Sequence, residues 1–130
     1  MKEIKRLSIV FDMYGCPNRC KHCWIGHMDN IKKSNDDLIF VANYFQNVCD
    51  NFEIYSWMRE PDYADNYKDL WILENKLAKG IKPQRFEIAS FYRLVRDCDY
   101  APWLYDIGVR VVQLTLFGLE EMTDYFIGRK

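Results

Sequence analysis

Residues 7–23 read LSIVFDMYGCPNRCKHC and join an apolar run to a loop that holds three cysteines. The run, residues 7–13, is rich in large and β-branched side chains, which predicts a buried strand of a parallel sheet rather than an alternating edge strand. Gly15 then allows the backbone to turn into the loop. The loop carries the spacing C-x3-C-x2-C at Cys16, Cys20 and Cys23. Thiolates held so close together in a short loop can converge on one metal centre.

The three cysteines favour one kind of metal centre. Iron–sulfur clusters are held by cysteine thiolates at such spacings, usually by four of them. Only Cys16, Cys20 and Cys23 lie close together here, so a [4Fe–4S] cluster on this loop would keep one iron without a protein ligand. An open coordination position distinguishes a catalytic metal site from a structural one. The sequence therefore predicts a catalytic cluster.

This loop, placed after a first strand, resembles the cluster loop of the radical S-adenosylmethionine (SAM) enzymes. In that family the open iron binds the amino and carboxylate groups of SAM. An electron from the cluster then cleaves the sulfonium to methionine and a 5′-deoxyadenosyl radical, which abstracts hydrogen from the substrate. The resemblance implies a [4Fe–4S] cluster and SAM as cofactors, and an electron donor such as a flavodoxin or ferredoxin. Residues 114–130 (LTLFGLEEMTDYFIGRK) also resemble the family, where its fourth strand passes into a helix.

Composition sets limits on the class of protein. With 130 residues, 49% hydrophobic and 28% charged, the chain is predicted to form one domain, residues 1–130, with a packed core. The formal net charge of −1 gives no sign of nucleic-acid binding. No apolar run approaches the roughly 18 residues of a membrane span, and Asp12 interrupts the only candidate signal peptide. We therefore expect a cytoplasmic protein without membrane contact. Five cysteines, an odd number, favour metal binding over disulfides.

The rest of the chain predicts three more strands, each followed by a helix. The strands are predicted at residues 52–58, 85–90 and 109–117. The helices are predicted to start after Ser34 or Asn35, to cover 63–79 with Gly80 as C-cap, to run from about Asp99 to Gly108, and to cover 120–126. Alternation at about 30 residues per unit indicates an α/β fold of four βα units with a parallel sheet. The resemblance implies the front half of a (β/α)6 partial TIM-like barrel.

Polar residues after the predicted strands are the further site candidates, because chemistry in such sheets lies at the carboxyl ends of the strands. After the second strand the family commonly carries Gly-Gly-Glu-Pro. This chain keeps Glu60 and Pro61 but has Met58 and Arg59 in place of the glycines. The resemblance implies that Glu60 holds the amino group of SAM. On physical grounds alone, Glu60 is a surface carboxylate.

Two candidates follow the third predicted strand. The Ser90 hydroxyl is placed to meet a ribose or carboxylate, and Arg93 to pair with the SAM carboxylate as a bidentate donor. Either residue could equally cap the following helix or face solvent.

The fourth predicted strand and the cysteine loop add three more candidates. Gln113 and Thr115 alternate on one face of the strand, where the family's polar residues contact the ribose of SAM. The alternative is a hydrogen-bonded barrel interior without a ligand. His22 lies where the family often has an aromatic residue beside SAM, and its ring is compatible with stacking on the adenine.

A different class of protein also fits the cysteine loop. Cys16, Cys20, Cys23 and His27 form C-x3-C-x2-C-x3-H, an acceptable tetrahedral set for a structural zinc in a small interaction domain. A third interpretation is that the cysteines bind no metal and can oxidise to a disulfide. Cys49 falls on an apolar helical stripe and is interpreted as a small buried hydrophobe rather than a ligand.

The predicted fold is short for the resembled family, whose catalytic domain usually has six strands. The chain is therefore expected to be a fragment of a longer protein, to pair with a second copy as a homodimer, or to be a short relative that keeps the front half. A neutral, aromatic-rich half-barrel favours a peptide or small-molecule substrate.

Overall fold

The computed structural model describes residues 4–85 and 89–128. These residues form two strands and five helices, in the order β1 (Ile4–Val10), α1 (Asn35–Phe45), β2 (Cys49–Tyr55), α2 (Tyr67–Leu77), α3 (Phe91–Arg96), α4 (Tyr100–Asp106) and α5 (Glu120–Ile127). The two strands pair in parallel. The protein is thus a mixed α/β protein with a parallel sheet, which confirms the coarse prediction. The finer prediction, a partial barrel of four βα units, is not shown by the described residues.

The sheet brings the ends of β1 and β2 side by side. Ile4 lies opposite Cys49, and Val10 lies opposite Tyr55. The pairing continues past the strands, because the backbone N–H of Met13 donates to the carbonyl of Ser56 at 3.2 Å. The first two predicted strands therefore exist, at residues 4–10 and 49–55 rather than 7–13 and 52–58.

The prediction that the first strand is buried is wrong. The first three side chains of β1 are exposed and the next four alternate between half-buried and exposed, with Ile4 and Val10 each 47% exposed. Within the described part of the chain β1 lies at the edge of the sheet, with β2 as its one neighbour. The apolar run continues past β1 because its last residues contribute side chains to the core, above all the fully buried Met13. Periodicity alone could not distinguish the two arrangements.

Helix α1 packs on β2, and the two elements contribute to the first of two hydrophobic cores. Ser34 caps the helix in a capping box with Asp37, as the sequence predicts for a serine at this position. Leu38 and Ala42 are fully buried against β2. Cys49, 6% exposed, belongs to this core, which confirms its interpretation as a small buried hydrophobe, although it begins β2 instead of extending the helical stripe.

Helix α2 also packs on β2 but ends earlier than predicted. Its last residue is Leu77 and its C-cap is Ala78, so the prediction of Gly80 as C-cap is wrong. Gly80 serves a different need. Its φ is +68°, and a Cβ there would lie 2.5 Å from the carbonyl oxygen of Asp50. A glycine is required because the chain crosses the start of β2 at close range.

The chain after α2 departs most from the prediction. Residues 86–88 of the predicted third strand lie outside the described residues. The short helix α3 follows, which the sequence did not predict, and α4 confirms the helix expected near Asp99. A second core forms here around Tyr67, Ala89, Tyr100 and Leu104.

The predicted fourth strand, residues 109–117, is not a strand in the described part of the chain. Gln113 alone takes part in an isolated β-bridge, and the apolar side chains of Val111 and Leu116 are more than 60% exposed. β-branched residues favour a strand only when a neighbouring strand pairs and packs with them. No described strand lies beside this segment. Helix α5 after it confirms the last predicted helix, and none of its residues is buried.

Among residues 4–85 and 89–128, every helix is too short or too polar to cross a bilayer.

Candidate metal and cofactor site

The cysteine loop begins with a turn that only glycine allows. Gly15 has φ +87°, and its amide donates to the Asp12 carboxylate at 3.1 Å. A Cβ at this position would collide with the side chains of Asn30 and Arg59. The missing side chain therefore lets two distant polar residues approach the start of the loop.

Asn30 fixes the backbone of the first cysteine. Its Oδ1 accepts from the amide of Cys16 at 3.0 Å, and its Nδ2 donates to the carbonyl of Cys16 at 2.9 Å. The side-chain amide thus bonds to both backbone polar groups of Cys16, as a neighbouring strand would. This role was missed because Asn30 lies in a polar connection with no periodic pattern.

Arg59 follows β2 and connects the end of β1 to the last part of the cysteine loop. Its Nε donates to Asp12 Oδ2 at 2.5 Å, and its Nη1 donates to the carbonyl of Met28 at 2.9 Å. The Arg59 side chain is only 8% exposed. The residue that replaces a glycine of the resembled motif is therefore a buried structural cation in this chain.

One cavity brings six of the predicted site residues together. It has a volume of about 490 Å³ and lies at the carboxyl ends of β1 and β2. Its walls include Cys16, Cys20, His22, Cys23, His27 and Glu60. These residues, from the segments that follow β1 and β2, therefore meet at this edge of the sheet, as parallel strands lead us to expect.

The three thiols are the type of ligand that an iron–sulfur cluster takes, and they line one cavity. All three cysteines are half-buried. Burial raises the pKa of the Cys16 thiol to about 11, partly offset by a 3.4 Å hydrogen bond from the amide of Asn18. The thiol is therefore protonated at neutral pH without metal, and metal binding must release a proton from it.

The side chains of this site are not arranged to bind a single metal ion. Among the described residues, no three His, Cys, Asp or Glu side chains stand together as a ligand set for a metal ion. A four-iron cluster is larger than one ion and holds its thiolates further apart. A cluster is therefore compatible with three thiols that line one cavity without standing together as a ligand set.

Glu60 is held by Ser90. The Ser90 hydroxyl donates to Glu60 Oε1 at 2.6 Å and accepts from the amide of Arg93 at 3.1 Å, which caps α3. Ser90 is fully buried. The capping alternative is thus realised, and the same hydroxyl orients the carboxylate that faces the cysteine cavity.

Arg93 lies outside the walls of that cavity. Its Nε donates to the carbonyl of Asp62 at 2.8 Å, and its Nη2 donates to Asp65 Oδ1 at 2.9 Å. The guanidinium braces the loop after Glu60. To bind the carboxylate of SAM, as predicted, Arg93 would have to exchange these bonds.

Asp62 organises this loop and was missed from the sequence. It adopts φ +55°, a left-handed conformation that Asp tolerates better than most residues. Its buried carboxylate accepts both Nη groups of Arg85 and the Tyr100 hydroxyl, the latter at 2.5 Å. No signal could have found it, since its partners lie more than 20 residues away.

The remaining candidates are divided between the cavity and the surface. The His22 ring packs 4.4 Å from the Phe117 ring, centroid to centroid, and also faces the cavity. Nε2 of His27 lies 3.3 Å from the carbonyl oxygen of Cys20. Gln113 and Thr115 are exposed and do not line the cavity. The structure therefore does not bring these last two to the cysteines.

Comparisons with known protein families, with curated proteins and with solved structures find no match to this chain.

Proposed function

We propose that the chain is the front part of a radical SAM enzyme, with a [4Fe–4S] cluster on Cys16, Cys20 and Cys23 and with SAM beside Glu60. One observation carries the proposal. The three thiols and the Glu60 carboxylate line one cavity of about 490 Å³ at the carboxyl ends of two parallel strands. When bound, the cluster and SAM would supply the electron and the sulfonium from which a hydrogen-abstracting 5′-deoxyadenosyl radical forms.

The chain's own residues have separate tasks in this proposal. The three thiolates would hold three of four irons and leave the fourth for the amino and carboxylate groups of SAM. Glu60, oriented by the 2.6 Å bond from Ser90, would accept a hydrogen bond from the SAM amino group. His22 would lie beside the adenine, since its ring faces the cavity.

The architecture supports the proposal at the level of the sheet. Strands β1 and β2 are parallel, α1 and α2 pack on β2, and the cysteine loop follows β1 directly. These features fit the start of a (β/α)6 partial barrel. Its completion by further strands of a longer chain or by a second copy belongs to the same proposal. So do a cytoplasmic location, a flavodoxin- or ferredoxin-like electron donor and a peptide or small-molecule substrate.

SAM binding tests the proposal through the electron paramagnetic resonance spectrum of the reduced, reconstituted protein. We expect added SAM to change the spectrum of wild type, and to change that of Glu60→Gln only at higher SAM concentration. Asp69→Asn, on α2 outside the cavity, serves as the control. A spectrum that SAM leaves unchanged in wild type would contradict the proposal.

A structural zinc remains the second candidate because His27 lines the same cavity as the three cysteines. In that case His27→Ala should abolish metal binding, whereas the cluster proposal predicts unchanged iron content. Metal analysis of this one variant separates the two.

A further inference from the structure

Helix α5 depends on the cysteine loop for its position. None of its residues is buried. Its last carbonyl groups have no partner within the helix, as at any helix C-terminus. The loop supplies the partners, because the amide of Arg19 donates to the carbonyl of Ile127 at 3.1 Å and the amide of Lys21 to that of Phe126 at 2.8 Å. These two amides flank Cys20.

Side chains also contribute to the contact between α5 and the cysteine loop. The ring of His22 packs against Phe117 and Phe126, at centroid distances of 4.4 and 6.3 Å, and the two phenylalanine rings lie 5.1 Å from each other. The ammonium group of Lys21 lies 3.1 Å from the centroid of the Tyr125 ring, a cation–π contact. The helix therefore holds the backbone on both sides of Cys20 and the side chains of the two residues that follow it.

Gly128 makes the close approach achievable. It ends α5 with φ +70°, and a Cβ there would lie 2.5 Å from the carbonyl oxygen of Arg19. A side chain at this position would be strained by the backbone conformation and would push the loop away. Gly108 has φ +101° but nothing within 4 Å of an added Cβ. The two glycines thus differ in whether they touch the loop.

We propose that α5 is a clasp that positions Cys20 as a ligand, with Gly128 and Phe126 as its positioning residues. The inference rests on the proposed metal site. Asn30 anchors the loop at Cys16, and α5 anchors it on both sides of Cys20. With both anchors in place the thiols stay around one cavity. When α5 is released, Cys20 leaves the cavity and the metal is lost more easily.

The clasp is tested first on the metal-free full chain, by the rate at which iodoacetamide alkylates each cysteine, followed by peptide mass spectrometry. Loss of two backbone hydrogen bonds should raise the Cys20 rate about tenfold in Gly128→Ala. The exposed Cys98 serves as internal reference, and Gly108→Ala should match wild type. An unchanged Cys20 rate in a folded Gly128→Ala protein would overturn the clasp.

A second variant and a second readout complete the test. Phe126→Ala removes the ring contact without backbone strain, and its Cys20 rate should also rise. On reconstituted protein, Gly128→Ala should lose iron to a chelator faster than wild type and Gly108→Ala, and equal rates would overturn the role in metal retention. If wild type binds no iron, the proposed function fails, whereas the alkylation rates still decide whether α5 holds the loop.

Discussion

Arg59 shows how one side chain can hold a loop that has little regular structure. Its buried guanidinium joins Asp12, after β1, to the return of the cysteine loop at Met28. Its side chain is 8% exposed and that of Asp12 is 16% exposed. Removing one partner of such a pair leaves the other charge unpaired in a site of low dielectric constant.

We therefore expect Arg59→Leu to lower the free energy of unfolding by about 3 kcal/mol, measured by urea denaturation. Arg96→Leu, which removes an exposed guanidinium from α3, should change it by about 0.5 kcal/mol or less. Equal effects of the two substitutions would contradict the role given to Arg59.

Glu74 is a buried carboxyl whose proton should make stability depend on pH. It is 1% exposed, its Oε1 accepts from the amide of Ser56 at 2.7 Å, and burial raises its pKa to about 7. In the unfolded chain its pKa is near the ordinary value of 4.5. Between about pH 4.5 and 7 the folded state keeps a proton that the unfolded state has lost. Wild type therefore loses stability as the pH rises through this interval.

Glu74→Gln removes this titration. The stability of wild type relative to the variant should fall by on the order of 3 kcal/mol between pH 4 and pH 8, as the pKa difference implies. Urea denaturation at both pH values measures it. A constant difference between the two proteins would show that Glu74 does not titrate in this way.

Helices and strands whose sequence signals lie within a few neighbouring residues could be predicted. Those that depend on contacts between residues far apart in the sequence could not. The Ser34–Asp37 capping box and the apolar stripe with Leu38 and Ala42 define α1 within a dozen residues. Residues 109–117 have the strongest β-propensity in the chain but form no described strand. A high β-propensity is not enough for a strand at residues 109–117, because a strand must pair with a neighbouring strand from another part of the sequence.

Gly80 allows the chain after α2 to cross the start of β2 at close range. Gly80→Ala introduces a Cβ 2.5 Å from the carbonyl oxygen of Asp50 at φ +68°, whereas Gly108→Ala meets only the backbone strain at φ +101°. We expect Gly80→Ala to lower the melting temperature clearly more than Gly108→Ala does. Thermal unfolding followed by circular dichroism measures both, and a larger loss in Gly108→Ala would contradict the close approach.

In the whole molecule, the sequence predicted the residues that line the cavity better than it predicted the architecture. Two parallel strands were enough to place the cysteines and Glu60 around one cavity. The supports of that cavity could not be predicted, because Asn30, Arg59 and Asp62 act through contacts that only the folded chain creates. Ser90 was predicted as a ligand or a cap, and it caps α3 while it orients Glu60.

Whether the cysteine loop holds a [4Fe–4S] cluster is tested most directly by the iron, sulfide and zinc content of protein reconstituted without oxygen. We expect about four irons and four sulfides per chain in wild type, Cys49→Ala and Cys98→Ala. Cys16→Ala, Cys20→Ala and Cys23→Ala should each fail to hold the cluster. About one zinc and no iron in wild type, or full iron retention in any of the last three variants, would contradict the proposed cluster.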